Sequence, residues 1–262
     1  MPSTYAHFRL GGSVIAILPN DIRELVKENY KCFALGLHGP DLLFYYKLLT
    51  VNPTNSEGYA IHERLASVFF ENAAKVYSAR GRRAADEAYL FGFLCHFALD
   101  SEAHPIVNAQ MKAKNITHTE IESAFDRYLM LRDGKDPFAT NTTAHIVNDG
   151  DTRSVAAAYF GTDEKKAGKA IKSFIYYNRL MRTRNRAGRA LISMWLKVLG
   201  MWENMHGVIL PLSDNEIYSD GIAGLDSAYF RAITKAKELI ENLKSYLEGK
   251  GELSPLLDRN FE

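Results

Sequence analysis

Apolar positions recur at helical intervals along most of this chain, and few stretches alternate apolar and polar residues as a half-buried strand would. From Asn20 to Leu35 the residues Ile22, Leu25, Val26, Tyr30 and Phe33 fall on one helical face, with Asn20 or Asp21 as the N-cap. Gly36 through Pro40 breaks that segment. Asp41 to Leu49 predicts a short helix, and Asn52 to Gly58 reads as loop. Ile61 to Ser78 predicts a helix closed by the Arg80-Gly81-Arg82 turn. Ala84 to Ser101 is so strongly apolar that it belongs at the centre of its domain. Thr117 to Leu131 predicts another helix, opened by a capping box of Thr117 and Glu120.

Asp133 to Asp151 is rich in Gly, Asp, Asn and Thr and reads mostly as loop. Two or more long helices fit between Ser154 and His206. A last one runs from about Asp214 or Asp226 to Leu247, where Gly249 and Gly251 stop it. No internal repeat or low-complexity segment interrupts the pattern. The expected fold is all-α: one multi-helix domain over residues 1–262, with eight to ten helices.

Composition narrows this only a little. Hydrophobic residues make up 47% and charged residues 24%, ordinary values for a soluble globular protein. A formal charge of +1 predicts no overall pull toward nucleic acid or an acidic membrane. Cys32 and Cys95 both sit in apolar runs and read as buried thiols, too few for a disulfide framework. The opening MPSTYAHFRLGGSVIAILPND lacks a basic stretch ahead of its apolar one, so no signal peptide is expected. No run of about 18 apolar residues is present, so no membrane span is expected and the chain reads as cytoplasmic.

The chemistry lies in the histidines. Of the eight, six precede residue 119, and several stand one helical turn from a carboxylate. In FLCHFALDSEAHP, His96 and Asp100 are four apart, as are Asp100 and His104; His118 and Glu122 repeat the spacing. Residues four apart share a helix face, so His96 with Asp100, and His118 with Glu122, can each hold an ion. Pro105 is expected to end the regular helix and let His104 turn toward a second ion. A lone pair of this kind reads as readily as a solvated helix pair. The flanks weigh against that: Tyr89, Leu90, Phe91, Phe93, Leu94, Phe97, Ala98 and Leu99 surround His96 and Asp100. A charge held there costs several kcal/mol unless it is paired or coordinates a metal.

With these residues the sequence resembles the zinc-dependent phospholipase C family, whose fold is shared with fungal single-strand nucleases. The matching positions are His7, the Gly39-Pro40-Asp41 turn, His62, the His96 to His104 run with Pro105, and His118 with Glu122. The resemblance implies one ion on Asp41, His62, His96 and Asp100, and a second on His104, His118 and Glu122. A third would share Asp100 and take His7. It covers residues 1 to about 126, the metal-site half; residues 127–262 add helices without an assigned role. Secreted members of the family complete the third ion with an N-terminal tryptophan, where this chain reads Met1-Pro2-Ser3-Thr4-Tyr5. Two zinc ions are therefore expected, and a third only if something replaces that residue. Choline-binding members carry an aromatic directly after the aspartate of the Gly-Pro-Asp turn. Here that residue is Leu42, and Tyr59 is the candidate for an aromatic wall against the substrate.

The implied function is a zinc-dependent phosphoric ester hydrolase acting on a phospholipid, with Asp41 or Asp100 orienting the attacking water and Asp100 bridging two ions. A single-strand nuclease of the same fold is the alternative enzyme, though it would want a basic groove with stacking aromatics. A metal-stabilised scaffold without turnover is the alternative outside enzymes. His38 reads as a second-layer group or a plain loop histidine, and His145 and His206 as structural. Glu63 and Glu102 read as surface or second-layer groups. Arg179, Arg182, Arg184, Arg186 and Arg189 read as a solvated helix face ahead of a phosphate contact, and Phe174, Tyr176 and Tyr177 as core.

Overall fold

The computed structural model describes residues 4–261, and among these it holds thirteen α-helices and no strand. The first, α1 (Thr4–Ile17), lies where the pattern predicts no element. Gly11 and Gly12 each lower helix propensity by about 1 kcal/mol relative to Ala. Burial of Tyr5, Ala6, Leu10 and Val14 holds the helix in spite of them.

The single helix expected over 20–35 is two, α2 (Asn20–Glu28) and α3 (Tyr30–Gly36). They divide at Asn29, whose backbone leaves helical values and whose side-chain amide donates to the Leu25 carbonyl. Pro19, not Asn20 or Asp21, occupies the N-cap of α2. A short α4 (Asp41–Phe44) follows.

Helix α5 (Pro53–Glu63) replaces the loop expected over 52–58. Asn52 caps it in a capping box with Asn55, and Pro53 takes the first turn, where its missing N–H costs nothing. Nor does one helix run from 61 to 78. The chain turns at Arg64 and Leu65, and α6 (Ala66–Ala79) begins with the Ala66 amide donating to the Arg259 carbonyl at 2.8 Å.

Helix α7 (Ala84–Lys114) runs straight through Pro105. A proline inside a helix costs about 3 kcal/mol, but His104 and Val107 are buried on either side of it and keep the helix packed. Asn115, in the left-handed region at φ 52°, ends it. Helix α8 (His118–Arg132) starts with the predicted Thr117–Glu120 capping box. Then come α9 (Gly150–Tyr159), α10 (Glu164–Leu180), α11 (Arg186–Val198), α12 (Trp202–Met205) and α13 (Ser219–Leu247).

Helix α7 is central, as its all-round apolarity requires, and packs chiefly on α13 and α3. Against α3 the approach is backbone to backbone: a Cβ on Gly92 would strike the Phe33 carbonyl, and one on Gly36 the Tyr89 carbonyl. One continuous core runs from Tyr5 to Phe261, so both halves of the chain share it. A second, small cluster of Ile192, Leu196 and Ile209 holds α11 apart from that core. No helix among the described residues is long and apolar enough to cross a membrane.

Candidate metal centre

Five elements converge at the middle of α7. The glycine contact between α3 and α7 lays the turn after α3 against the next helical turn of α7, which carries His96. Gly39 in that turn sits at φ 44°, and a Cβ there would fall on the His96 ring. Only glycine satisfies both the backbone and the space, and Asp41 follows at the first residue of α4. His62 arrives from the last turn of α5, His7 from α1, and His118 and Glu122 from one face of α8.

All eight predicted ligands are brought together, in three groups whose donor atoms lie within 4.8 Å of one another: His7, His96 and Asp100; Asp41, His62 and His96; His104, His118 and Glu122. Asp100 faces two sides at once. Its Oδ1 is 3.2 Å from His7 Nε2, while its Oδ2 is 3.0 Å from His96 Nε2 and 3.7 Å from His62 Nε2. Asp41 Oδ1 stands 3.2 Å from His62 Nε2 and 3.7 Å from His96 Nε2. In the third group Glu122 Oε1 is 3.1 Å from His118 and 3.9 Å from His104. His118 is half-buried and forms the outer lip; the other ligands are buried.

Two histidines are held by main-chain carbonyls. His62 Nδ1 donates to Gly58 O at 2.8 Å, and His104 Nδ1 donates to Phe261 O at 2.7 Å. Each bond fixes the ring and turns Nε2 toward the carboxylates, the orientation a ligating histidine needs. Asp126, two turns beyond His118 on α8, accepts from the amides of Tyr5 and Ala6, both at 2.9 Å. It thereby ties the start of α1, and His7 with it, to the helix bearing Glu122.

The donor set suits a divalent cation. Three carboxylates and five imidazoles converge, and Asp41 Oδ1, His62 Nε2 and His96 Nε2 are buried and face only other members of this set. Buried polar atoms of this kind are costly unless a cation meets them. Electrostatics point the same way. Burial opposes charge on His62, yet Asp41 and Asp100 overcome it and raise its pKa to about 9. Burial also disfavours an ionised Glu122, but His118 and His104 hold it down at about 2. Asp100 lies well below the usual carboxylate range, against its burial, because His96, His104 and His7 surround it.

A cleft of about 330 Å³ opens onto His62, His104 and His118. Tyr59 stands in its wall, its ring 4.3 Å from Phe44, which in turn stacks on His62. Phe44 and Tyr45 complete an aromatic wall that sequence reasoning missed. Leu42, at the position where choline-binding members carry an aromatic, is buried in the core.

Other expectations resolve differently. His38 belongs to none of the three groups; it lies 2.7 Å from His145, and the two rings stack. Burial, then His145, pushes His38 well below the ordinary histidine value, and burial takes His145 to about 4. His206 donates to the Trp202 carbonyl and faces Glu120. Glu63 lines the cleft, and Glu102 pairs with Arg231 and Lys235. The arginine run is not wholly a solvated face. Arg182 holds the Pro137 carbonyl and the Thr142 hydroxyl, and Arg189 holds the carbonyls of Thr183 and Leu210.

Asp126 and Phe261 also escaped the sequence reading. Asp126 carried a signal, since 118, 122 and 126 extend one spacing along α8. The Phe261 carbonyl, a backbone group, carried none. Met1 to Ser3, where the tryptophan ligand of the secreted proteins would stand, lie outside the described residues.

The family model for zinc dependent phospholipase C matches residues 6–178. That span contains all eight candidate ligands and continues past residue 126, where the motif resemblance fades, through α9 and most of α10. No curated protein and no solved structure gives a match.

Proposed function

Because the chain belongs to the zinc-dependent phospholipase C family, we propose that it hydrolyses the phosphate diester of a phospholipid. Asp41, His62, His96 and Asp100 would hold one zinc ion, and His104, His118 and Glu122 a second. His7 with Asp100 offers a third position. The observation that carries this reading is Asp100, whose two oxygens address different histidines, as a bridging carboxylate must.

Zinc bound here supplies the Lewis acidity that activates water near neutral pH and offsets charge at the phosphate. The protein's own groups do the rest. Asp41 and Asp100 accept a hydrogen bond from the attacking water and hold it in line with the leaving alkoxide. Gly58 and Phe261 fix the rings of His62 and His104 through their carbonyls, so that little reorganisation is needed when charge moves. Phe44, Tyr45 and Tyr59 bound the substrate on an apolar, aromatic side, where a cationic headgroup would meet ring faces.

The test pairs zinc analysis of the purified protein with turnover of a phospholipid and of single-stranded DNA, for wild type and Asp100→Asn. Two or more zinc ions and phospholipid cleavage are expected in the wild type. Asp100→Asn should lose zinc and at least about a thousandfold in rate, a loss on the order of 4 kcal/mol in barrier terms. Turnover of DNA alone would favour a nuclease, and full zinc with no turnover a scaffold. Full zinc and full activity in Asp100→Asn would refute the bridging role.

A further inference from the structure

The stretch between Glu164 and Glu203 contains ten Lys and Arg residues and no Asp or Glu. The chain as a whole carries a formal charge of +1, so the remainder is net negative by nine. A near-neutral protein has thus concentrated its positive charge on one segment, which holds α10 and α11. The segment supplies no acid of its own; Lys166 pairs with Asp163 and Arg184 with Asp136, both outside it. Arg184, Arg186 and Lys197 are all exposed around α11.

Helix α11 turns an apolar face outward as well. Leu191, Met194, Trp195, Val198 and Leu199 are exposed and follow the i, i+3, i+4, i+7, i+8 order of one helical stripe. Val198 is 71% exposed and Trp195 55%, values that no partial burial at the helix edge explains. The opposite side, Ile192 and Leu196, packs into the small second core with Ile209. The helix is therefore not an end of the main core left uncovered. It is a projecting unit, closed at its base where the Leu210 amide donates to the Met181 carbonyl and Arg189 donates to the carbonyls of Thr183 and Leu210.

The unit leads straight into the cleft. Met201, Met205 and Val208, just after α11, line the cleft together with His104 and His118. Ser123 of α8 donates to the Gly207 carbonyl at 2.5 Å, and a Cβ on Gly207 would strike the Glu120 amide, so the chain lies directly on the helix that carries Glu122. On another wall Leu48 lines the same cleft, and its neighbours Leu49 and Val51 are exposed. The helix and most of this connection lie beyond the family match, which ends at residue 178.

We propose that α11 is an interfacial helix that seats the protein on an anionic phospholipid bilayer, with Leu191, Met194, Trp195, Val198 and Leu199 entering the headgroup layer and the surrounding arginines and lysines meeting lipid phosphates. Helices of this kind combine an apolar face, an interfacial tryptophan and flanking basic residues. Charge selects the occupant. A second copy docking on the same face would set two acid-free basic segments against each other, which like-charge repulsion opposes. An anionic lipid surface complements both the charge and the apolar stripe. The inference rests on the phospholipid reading of the site and extends it: the surface that supplies the substrate is the one the helix grips, at the rim of the cleft.

The experiment uses zinc-free full-length protein and vesicles of phosphatidylglycerol with phosphatidylcholine, so that binding is read without turnover. Wild type should co-sediment with anionic vesicles, and binding should weaken as salt rises. Trp195 emission should shift to the blue on binding, and Trp195→Phe should remove most of that shift. The double variant Leu191→Gln, Val198→Gln alters only exposed side chains, so its melting temperature should match the wild type. Its vesicle partitioning should fall at least tenfold. With zinc restored, the double variant should keep wild-type turnover of a monomeric, short-chain phosphodiester while losing turnover of vesicle lipid. Unchanged vesicle binding in the double variant overturns the proposal. So does a wild type that ignores anionic vesicles, or one that self-associates through this face in a manner the double variant abolishes. Vesicle binding by α11 with no hydrolysis of any phosphodiester would leave the docking surface standing and refute the enzymatic reading instead.

Discussion

Phe261 offers the sharpest test of how the centre is held. Its side chain is fully buried, with ring centroids 5.3 Å from His62, 6.0 Å from His96 and 5.1 Å from Phe97. Its carbonyl accepts from His104 Nδ1, and its amide donates to the His62 carbonyl at 3.2 Å. One residue outside the ligand set thus touches ligands from two groups. Phe261→Ala keeps both backbone groups but removes the packing that seats them. Emptying a buried phenylalanine site costs about 3–5 kcal/mol. The backbone then loses its fixed position, and His104 loses the bond that aims its lone pair. Removing such a support lowers metal affinity by roughly 10–100-fold.

The assay is zinc titration against a competing chelator, alongside urea unfolding of the zinc-free protein. The control is Leu247→Ala, a buried residue beside Ser78 and Arg82, near the start of α7 and away from the ligands. It should cost about 2–5 kcal/mol of stability with zinc affinity unchanged. If Phe261→Ala shows the same stability loss and the same unchanged affinity, Phe261 is only core and the positioning argument fails.

Two further predictions follow from the buried charges. Asp126→Ala leaves the Tyr5 and Ala6 amides at the start of α1 without their acceptor, at about 1–3 kcal/mol for each group that stays buried. Zinc should become weaker where His7 takes part and stay unchanged at His104, His118 and Glu122, as site-resolved cobalt substitution spectra would report. The second concerns pH in the zinc-free protein. His62 is raised from 6.5 to about 9, so its contribution to stability is complete below pH 6.5 and disappears as pH rises through 9. Glu122 is lowered from 4.5 to about 2, so its contribution is complete above pH 4.5 and disappears as pH falls through 2. The His62 share of stability should therefore fall by on the order of 3 kcal/mol between about pH 6.5 and 10 in urea melts. Zinc affinity should rise across the same alkaline interval, because ligation needs neutral imidazoles. A flat stability profile from pH 6 to 10 would contradict the ion pairing assigned to His62.

The candidate ligands are legible as a set because most obey local rules: a histidine and a carboxylate one turn apart, in a stretch too apolar to leave them bare. What was not legible depends on contacts distant in sequence. The Phe261 carbonyl reaches His104 across 157 positions, and no side-chain pattern announces a backbone acceptor. The division at Arg64 and Leu65 has the same origin, since the Ala66 amide is taken by the Arg259 carbonyl. The loop expected over 52–58 is helical for a local reason: Asn at a cap and Pro in the first turn open a helix.

The error at Pro105 is the most instructive, because it concerned how one helix could serve two ions. The expected end of the helix at Pro105 frees His104 to leave the face shared by His96 and Asp100, and that expectation needs the break. The geometry of an unbroken helix removes that need. At about 100° per residue, a step of four overshoots a full turn by about 40°, so ligands at i, i+4 and i+8 fan across about 80°. His96 faces Asp41 and His62, Asp100 stands between, and His104 already leans toward Glu122 and His118. The middle carboxylate turns one oxygen toward His7 and the other toward His96 and His62. A rigid helix also fixes the spacing between the two positions, which a break at Pro105 would have left to a loop. Continuity of α7 through its proline is thus what the centre requires, and the buried neighbours His104 and Val107 supply the packing that sustains it.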